Sequence, residues 1–335
     1  MQGNGQTGSS DMIYNARMNI TVLDGYYMNP GDLSWEGFKS IGNLKVYETS
    51  QSEDIIPRCI DSEAVLTNKV PFTRETMEKL PKLRYIGVTA TGYNIIDTKA
   101  AEEMGIIVTN VPEYSTEGVA ESVFAHILEF THRTGLLSED VHNGKWVASG
   151  HFSYFPYPLA ELHGKTMGIV GMGHIGMRTA EIAAAFGMAV IYNSRSPKPE
   201  AEEKGFRQVD LKTLFSESDF ISLHVPLTEK TENMINKESL SLMKPSAILI
   251  NTARGGLIDE EALAEALREK RILGAGLDVL REEPPVNGSP LIGLEECIIT
   301  PHTAWSAKET RQRLMNNALE NLVCFMIGTP KNIVR

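Results

Sequence analysis

The run Gly168-Ile169-Val170-Gly171-Met172-Gly173-His174-Ile175-Gly176 decides the fold of this chain. A β-type stretch, Met167 to Val170, leads into three glycines spaced Gly-x-Gly-x-x-Gly, and a helical stretch, Met177 to Phe186, follows. Glycines cluster in turns by chance, so the spacing alone is weak. A strand before it and a helix after it supply the context that a dinucleotide-binding turn requires. Gly171 permits the tight turn, Gly173 lets the backbone approach a pyrophosphate, and Gly176 allows close helix–strand packing. The helix start, carrying Met172, His174 and Ile175 beside these glycines, offers free N–H groups and a partial positive charge.

Working outward, strand-like and helical stretches alternate on both sides. Before the turn come Asn19–Leu23, ending in Asp24-Gly25, then Ala64–Thr67, helix-forming Thr73–Leu80, Arg84–Val88 and Ile106–Thr109. After it come Ala189–Tyr192, Phe220–Val225, Ala247–Ile250, Gly274–Asp278 and Cys297–Thr300, with helices such as Glu260–Lys270 between them. This order predicts parallel sheets covered by helices. Ser115 to about Asn143 reads as one long helix suited to an interdomain connector, with Val119, Val123, Ile127 and Phe130 at helical spacing. The aromatic, proline-rich His151–Pro158 reads either as a loop packed on its own domain or as a subunit contact. Ala307 to about Ile327 reads as a C-terminal helix.

Length and composition agree with two domains. The chain has 335 residues, 42% of them hydrophobic, and a net charge of −11. An acidic chain has no basic excess to neutralise nucleic acid or an anionic membrane surface, and no apolar run reaches the roughly 18 residues a membrane span needs. Cys59, Cys297 and Cys324 are widely spaced and form no C-x-x-C, which reads as three reduced thiols in a cytoplasmic chain with no metal site. Residues 1–17, polar and rich in Gly, Ser, Asn and Gln, read as a disordered extension or a vector-derived remnant.

Cofactor choice rests on the end of the second strand, about 20 residues beyond the glycines, where NAD-selective sites carry a carboxylate. This chain reads Asn193-Ser194-Arg195-Ser196 there, with no Asp or Glu. Arg195, with its three polar neighbours, could bind a 2′-phosphate through charge-assisted hydrogen bonds, so NADPH is favoured over NADH. The competing reading is a solvated arginine in a turn. Polar groups also stand where strands end in Asn251–Asp259, Gly276–Pro284 and Thr300–Trp305.

On these motifs the sequence resembles the D-isomer-specific 2-hydroxyacid dehydrogenases from about Met18 to the C-terminus. Leu23-Asp24-Gly25-Tyr26, Asn29–Trp35 and His302-Thr303-Ala304-Trp305 point to the D-glycerate dehydrogenase or hydroxypyruvate reductase group within that family. The resemblance implies two doubly wound parallel-sheet domains with a cleft between them. A flavodoxin-like substrate domain would take residues 18–117 and 306–335, and a Rossmann cofactor domain residues 118–305. It also implies a homodimer.

The resemblance makes Arg254, Glu283 and His302 the catalytic set for NAD(P)H-dependent reduction of a small 2-keto acid, hydroxypyruvate to D-glycerate first and glyoxylate second. An imidazole suits the proton donor because its intrinsic pKa lies nearest neutral pH. Glu283 would fix its tautomer, with Glu282 as the adjacent competitor. The planar charge of Arg254 would engage the substrate carboxylate and polarise the keto oxygen. By the same resemblance Thr89-Ala90-Thr91-Gly92 receives the carboxylate on backbone N–H groups, Asp278 touches the nicotinamide amide, and His224, Val225, Pro226, Thr252 and Ala253 line the cofactor cleft. The loop departs from the commoner Ala-Gly-Val-Gly-Val-Asp pattern, a change that a backbone role tolerates. Two alternatives stay open. One is another 2-keto acid, a phosphorylated one being less favoured because no regulatory domain is appended. The other is a dinucleotide-gated, corepressor-like protein that binds peptides.

Overall fold

Short apolar runs such as Ala64–Thr67 and Phe220–Leu223 are buried along their whole length, as strands covered on both faces must be. In this computed structural model, which describes residues 17–335, such runs assemble into two separate parallel sheets. The expectation for residues 1–17 falls, apart from Arg17, outside the described residues. The chain divides into two compact units, the residues up to Tyr114 together with Lys308–Arg335, and Ser115–Ala307.

The first unit holds β1 (Met18–Val22), β2 (Gly42–Val46), β3 (Ala64–Thr67), β4 (Tyr85–Val88) and β5 (Ile107–Thr109). Their order is β2-β1-β3-β4-β5, every pair parallel, which is the flavodoxin-like arrangement. One face carries Val65, Ile86 and Val108 against Ile55, Met77 and Ala100 from short helices. The other meets the helix Lys308–Met326, where Phe325 lies 4.9 Å from the Tyr85 ring.

The second unit holds β6 (Thr166–Val170), β7 (Ala189–Asn193), β8 (Arg207–Gln208), β9 (Phe220–Leu223), β10 (Ile248–Asn251), β11 (Gly274–Leu277) and β12 (Cys297–Ile299). Their order is β12-β11-β10-β9-β6-β7-β8, again all parallel, which is the Rossmann order with one strand added. Successive side chains leave opposite faces. Leu249 packs with Leu214, Leu240 and Leu263, while Ile248 and Ile250 pack with Val123, Ile127 and Ala180. The sheet is therefore covered twice, as the alternation predicts.

Three sequence expectations change. The long helix is broken at Arg133, whose φ is +49°, into Thr116–His132 and Thr134–His142. The first piece buries Val123, Phe124, Ile127 and Phe130 in the second unit's own core and so is more than a connector. β2 and β8 escape a reading by apolar runs, because one is mostly exposed and the other is two polar residues long, both at sheet edges. Finally, Phe152 and Phe155 are 95% and 82% exposed, so the aromatic segment does not pack these rings on its own unit. The segment is nonetheless shaped from within. Buried Asp140 accepts from Lys145 Nζ at 2.6 Å and from the Tyr157 hydroxyl at 3.3 Å.

Just beyond β1, buried Asp24 organises the turn after β3. Its carboxylate accepts the N–H groups of Asn68, Lys69 and Val70 and the hydroxyl of Thr67, which oppose the effect of burial on its charge. Replacing Asp24 by Ala orphans those donors and is expected to cost about 2–4 kcal/mol in urea denaturation. A loss under about 0.5 kcal/mol would show that the turn holds without it.

Candidate active site

The turn after β6 has the geometry its glycines predict. Gly171 sits at φ +101° and donates its N–H to Asn193 O at 2.9 Å, and a Cβ there would lie 2.5 Å from the carbonyl oxygen of His224. A Cβ on Gly176 would lie 2.1 Å from Gly171 O, so the helix His174–Ala185 packs on the turn only with glycine at that position. Gly173 differs. It caps that helix, and a Cβ on it would meet nothing within 4 Å, leaving its amide face open to a ligand. The helix begins at His174, three residues earlier than the apolar pattern suggests, which brings its first N–H groups to the turn. Met172 is buried, while His174 is exposed and Ile175 half-buried beside it. This cradle fits a dinucleotide pyrophosphate.

At the end of β7, Asn193 donates to Val209 O and Ser194 to Ser196 O, so both side chains shape the turn itself. Arg195 is exposed, as is Ser196, and its guanidinium has no partner among the described residues. After β9, His224 pairs with Ser222 Oγ at 2.8 Å, and burial pulls its imidazole down to about 3, so the ring stays neutral. A Cβ on Gly171 would stand 2.8 Å from the Val225 side chain, and exposed Pro226 offers its carbonyl to Thr231. Thr252, after β10, has a buried hydroxyl without a partner among the described residues. An orphaned hydroxyl at this edge of the sheet suits a polar ligand group.

The three candidate catalytic residues follow β10, β11 and β12 in turn. Asn251 accepts from Ala253 N and donates to Arg254 O, a closed turn that leaves the Arg254 side chain exposed. Its guanidinium makes no ion pair among the described residues and donates only to Ala253 O. Gly255 presses on the next loop, because a Cβ there would fall 1.9 Å from the carbonyl carbon of Leu280. Leu280 N in turn donates to Glu283 Oε1 at 3.0 Å, and Glu283 Oε2 meets His302 Nδ1 at 2.7 Å. Of the adjacent carboxylates, then, Glu283 reaches the imidazole, while Glu282 accepts from Asn287. With Nδ1 engaged, Nε2 of His302 remains open.

His302 itself sits at φ +56°, an uncommon region for a side chain of its size. Its N–H donates to Asp278 O at 2.8 Å. The buried Asp278 carboxylate accepts from the Thr300 hydroxyl at 2.6 Å and from the N–H groups of Thr303 and Ala304 at 2.8 Å each. Asp278 thus holds the loop that carries His302, a task beyond the nicotinamide contact the resemblance implies. Sequence reasoning missed Asn251 and this loop-holding role; a carboxylate just past a buried strand was the available signal.

In the first unit, the loop after β4 turns its carbonyls inward. Thr89 O accepts from Asn68 Nδ2, Ala90 O from Val111 N and Thr91 O from Asn110 Nδ2. Thr89 does not fit its expected part, because its N–H is already given to Thr67 O at 2.8 Å; the N–H groups of Ala90, Thr91 and Gly92 have no partner among the described residues, an arrangement able to receive an anion.

Comparison with known proteins gives the class. Residues 124–304 match the description D-isomer specific 2-hydroxyacid dehydrogenase, NAD binding domain. The chain is 45% identical over 320 residues to a hydroxypyruvate reductase from Blautia hydrogenotrophica, covering 95% of this chain and 99% of that one. Among solved structures, an acyclic imino acid reductase in complex with NADPH and D-arginine superposes with TM-score 0.81 at 34% identity, covering 95% of this chain and 100% of that one. A D-lactate dehydrogenase with NAD+ from Lactobacillus jensenii gives 0.80 at 30%, covering 95% and 99%. The chain belongs to the D-isomer-specific 2-hydroxyacid dehydrogenase family and binds a nicotinamide dinucleotide.

Because the space beside Gly173 is open, Gly173→Ala is expected to keep stability within about 0.5 kcal/mol while weakening binding of the reduced nicotinamide dinucleotide about tenfold or more in a fluorescence titration. Gly176→Ala is expected to lose stability instead. Unchanged dinucleotide affinity in Gly173→Ala would remove the turn from the cofactor site.

Proposed function

We propose that this enzyme reduces a small 2-keto acid to the D-2-hydroxy acid with NADPH, hydroxypyruvate to D-glycerate being the main reaction and glyoxylate to glycolate a secondary one. The observation that carries the reading is the Glu283–His302 pair at 2.7 Å, its Nε2 open, in a loop next to the one that presents Arg254. The bound dinucleotide supplies the hydride. His302, as imidazolium, gives its Nε2 proton to the oxygen of the reduced carbonyl, and Glu283 orients the ring and stabilises its charged form. The guanidinium of Arg254 engages the substrate carboxylate and polarises the keto oxygen. The open N–H groups of Ala90, Thr91 and Gly92 are assigned to the substrate carboxylate as well. Exposed Ser196 and unpartnered Arg195 are assigned to the adenosine 2′-phosphate, in a turn shaped by Asn193 and Ser194, whose side-chain donors are engaged within it, and with no carboxylate there to repel the phosphate.

Hydroxypyruvate is supported by the similarity to a hydroxypyruvate reductase over nearly all of both chains. We also assign a homodimer, paired through the arm at residues 144–159, where Val147, Phe152 and Phe155 stand 87%, 95% and 82% exposed. Free Cys59, Cys297 and Cys324 favour a reducing, cytoplasmic location.

The test is a panel of hydroxypyruvate, glyoxylate, pyruvate and an aromatic keto acid with NADPH and NADH. Hydroxypyruvate with NADPH should give the highest kcat/KM. Arg195→Ala should lower kcat/KM for NADPH about tenfold and leave NADH within about twofold. Glu283→Gln should lower kcat about a hundredfold and Glu282→Gln about twofold or less. No turnover with any keto acid would favour the dinucleotide-gated binding protein. For the dimer, sedimentation should give twice the chain mass, and Phe152→Glu combined with Phe155→Glu should halve it.

A further inference from the structure

His126 lies in the middle of the helix Thr116–His132, only 4% exposed and flanked by the core residues Val123, Ile127 and Phe130. It rests on β11 where Gly276 supplies no side chain, since a Cβ there would come within 2.8 Å of the His126 Cβ. Its Nε2 stands 3.2 Å from Thr300 Oγ1, and that hydroxyl is 2.6 Å from Asp278 Oδ1. A hydroxyl has one proton to give. The carboxylate only accepts, taking Thr303 N and Ala304 N as well, so the Thr300 proton goes to Asp278 and His126 Nε2 must donate to Thr300. Burial lowers the affinity of His126 for a second proton, which the charge of Asp278 only partly opposes, so the ring is neutral with its hydrogen on Nε2.

The chain of bonds ends at the candidate proton donor. Asp278 O and Thr300 O both accept the N–H of His302, and the Asp278 carboxylate closes the loop on the far side at Thr303 and Ala304. A histidine at φ +56° persists where its surroundings over-determine it, and these bonds are those surroundings. We propose that His126 is a positioning residue for His302, acting through Thr300 and Asp278 to hold the left-handed turn that aims the imidazole at the substrate. A histidine that merely fills the core would contribute to stability alone.

The inference rests on the functional reading above, and its test separates the two. In the intact enzyme, His126→Leu should lower kcat for hydroxypyruvate about tenfold while KM for NADPH stays within about twofold. His126→Gln, whose amide can still donate near the Nε2 position, should recover activity to within about threefold of the parent. Thr300→Val should match His126→Leu, and the double variant should be no worse than either alone, because both break one chain of bonds. If His126→Leu does not fold, Thr300→Val against Thr300→Ser carries the comparison. The second readout needs no turnover. In ring-labelled protein the His302 Cε1–H resonance, assigned with His302→Asn, should shift or broaden in His126→Leu and Thr300→Val. An inactive parent enzyme overturns the functional reading while this measurement still judges the positioning. An unmoved His302 resonance, an unchanged kcat with only a lowered melting temperature, a loss that glutamine does not relieve, or losses that multiply in the double variant would each overturn the role of His126.

Discussion

Parallel pairing is the constraint from which the rest follows. When every strand of a sheet runs the same way, each delivers its C-terminal end to a single edge, together with the N-termini of the helices that follow. That is how the glycine turn after β6, the Arg195 turn after β7, His224 after β9 and the three loops bearing Arg254, Glu283 and His302 come to share one rim although they are far apart in sequence. The loops have lost the pairing that strands enjoy, so each needs local hydrogen bonds to keep one shape.

Both units meet that need with the same device. A carboxylate placed just past a buried strand turns inward and collects main-chain N–H groups of a neighbouring loop. Asp24 does this after β1 for Asn68, Lys69 and Val70, and Asp278 after β11 for Thr303 and Ala304. A buried charge is tolerable only when donors surround it, and here the donors are the loop itself. The loop and the carboxylate therefore stabilise one another.

Much of this was legible from residue types alone. Strands buried on both faces read as unbroken apolar runs, and a glycine with positive φ or a carbonyl pressed against it announces itself by its spacing, as at Gly171 and Gly176. Edge strands β2 and β8 were illegible because pairing on one side leaves their side chains in water. The break at Arg133 was hidden because an arginine, not a glycine or proline, takes the positive φ there; its guanidinium lies over the Phe130 ring at 5.3 Å. Glu283 and Glu282 could not be told apart by adjacency, since only the course of the loop decides which of them faces His302. His126 looked like any polar residue in a core helix, for its partner lies 174 positions away in the chain.

Arg254, Glu283, His302 and the glycine cradle all belong to the unit Ser115–Ala307, whereas the open amides of Ala90, Thr91 and Gly92 belong to the other. On the proposed roles, reactivity and selectivity would be written in different stretches of the gene. Drift in residues 17–114 would then retune which acid is accepted without disturbing the machinery of reduction. A fold divided in this way is well placed to diversify by changing its taste rather than its trade.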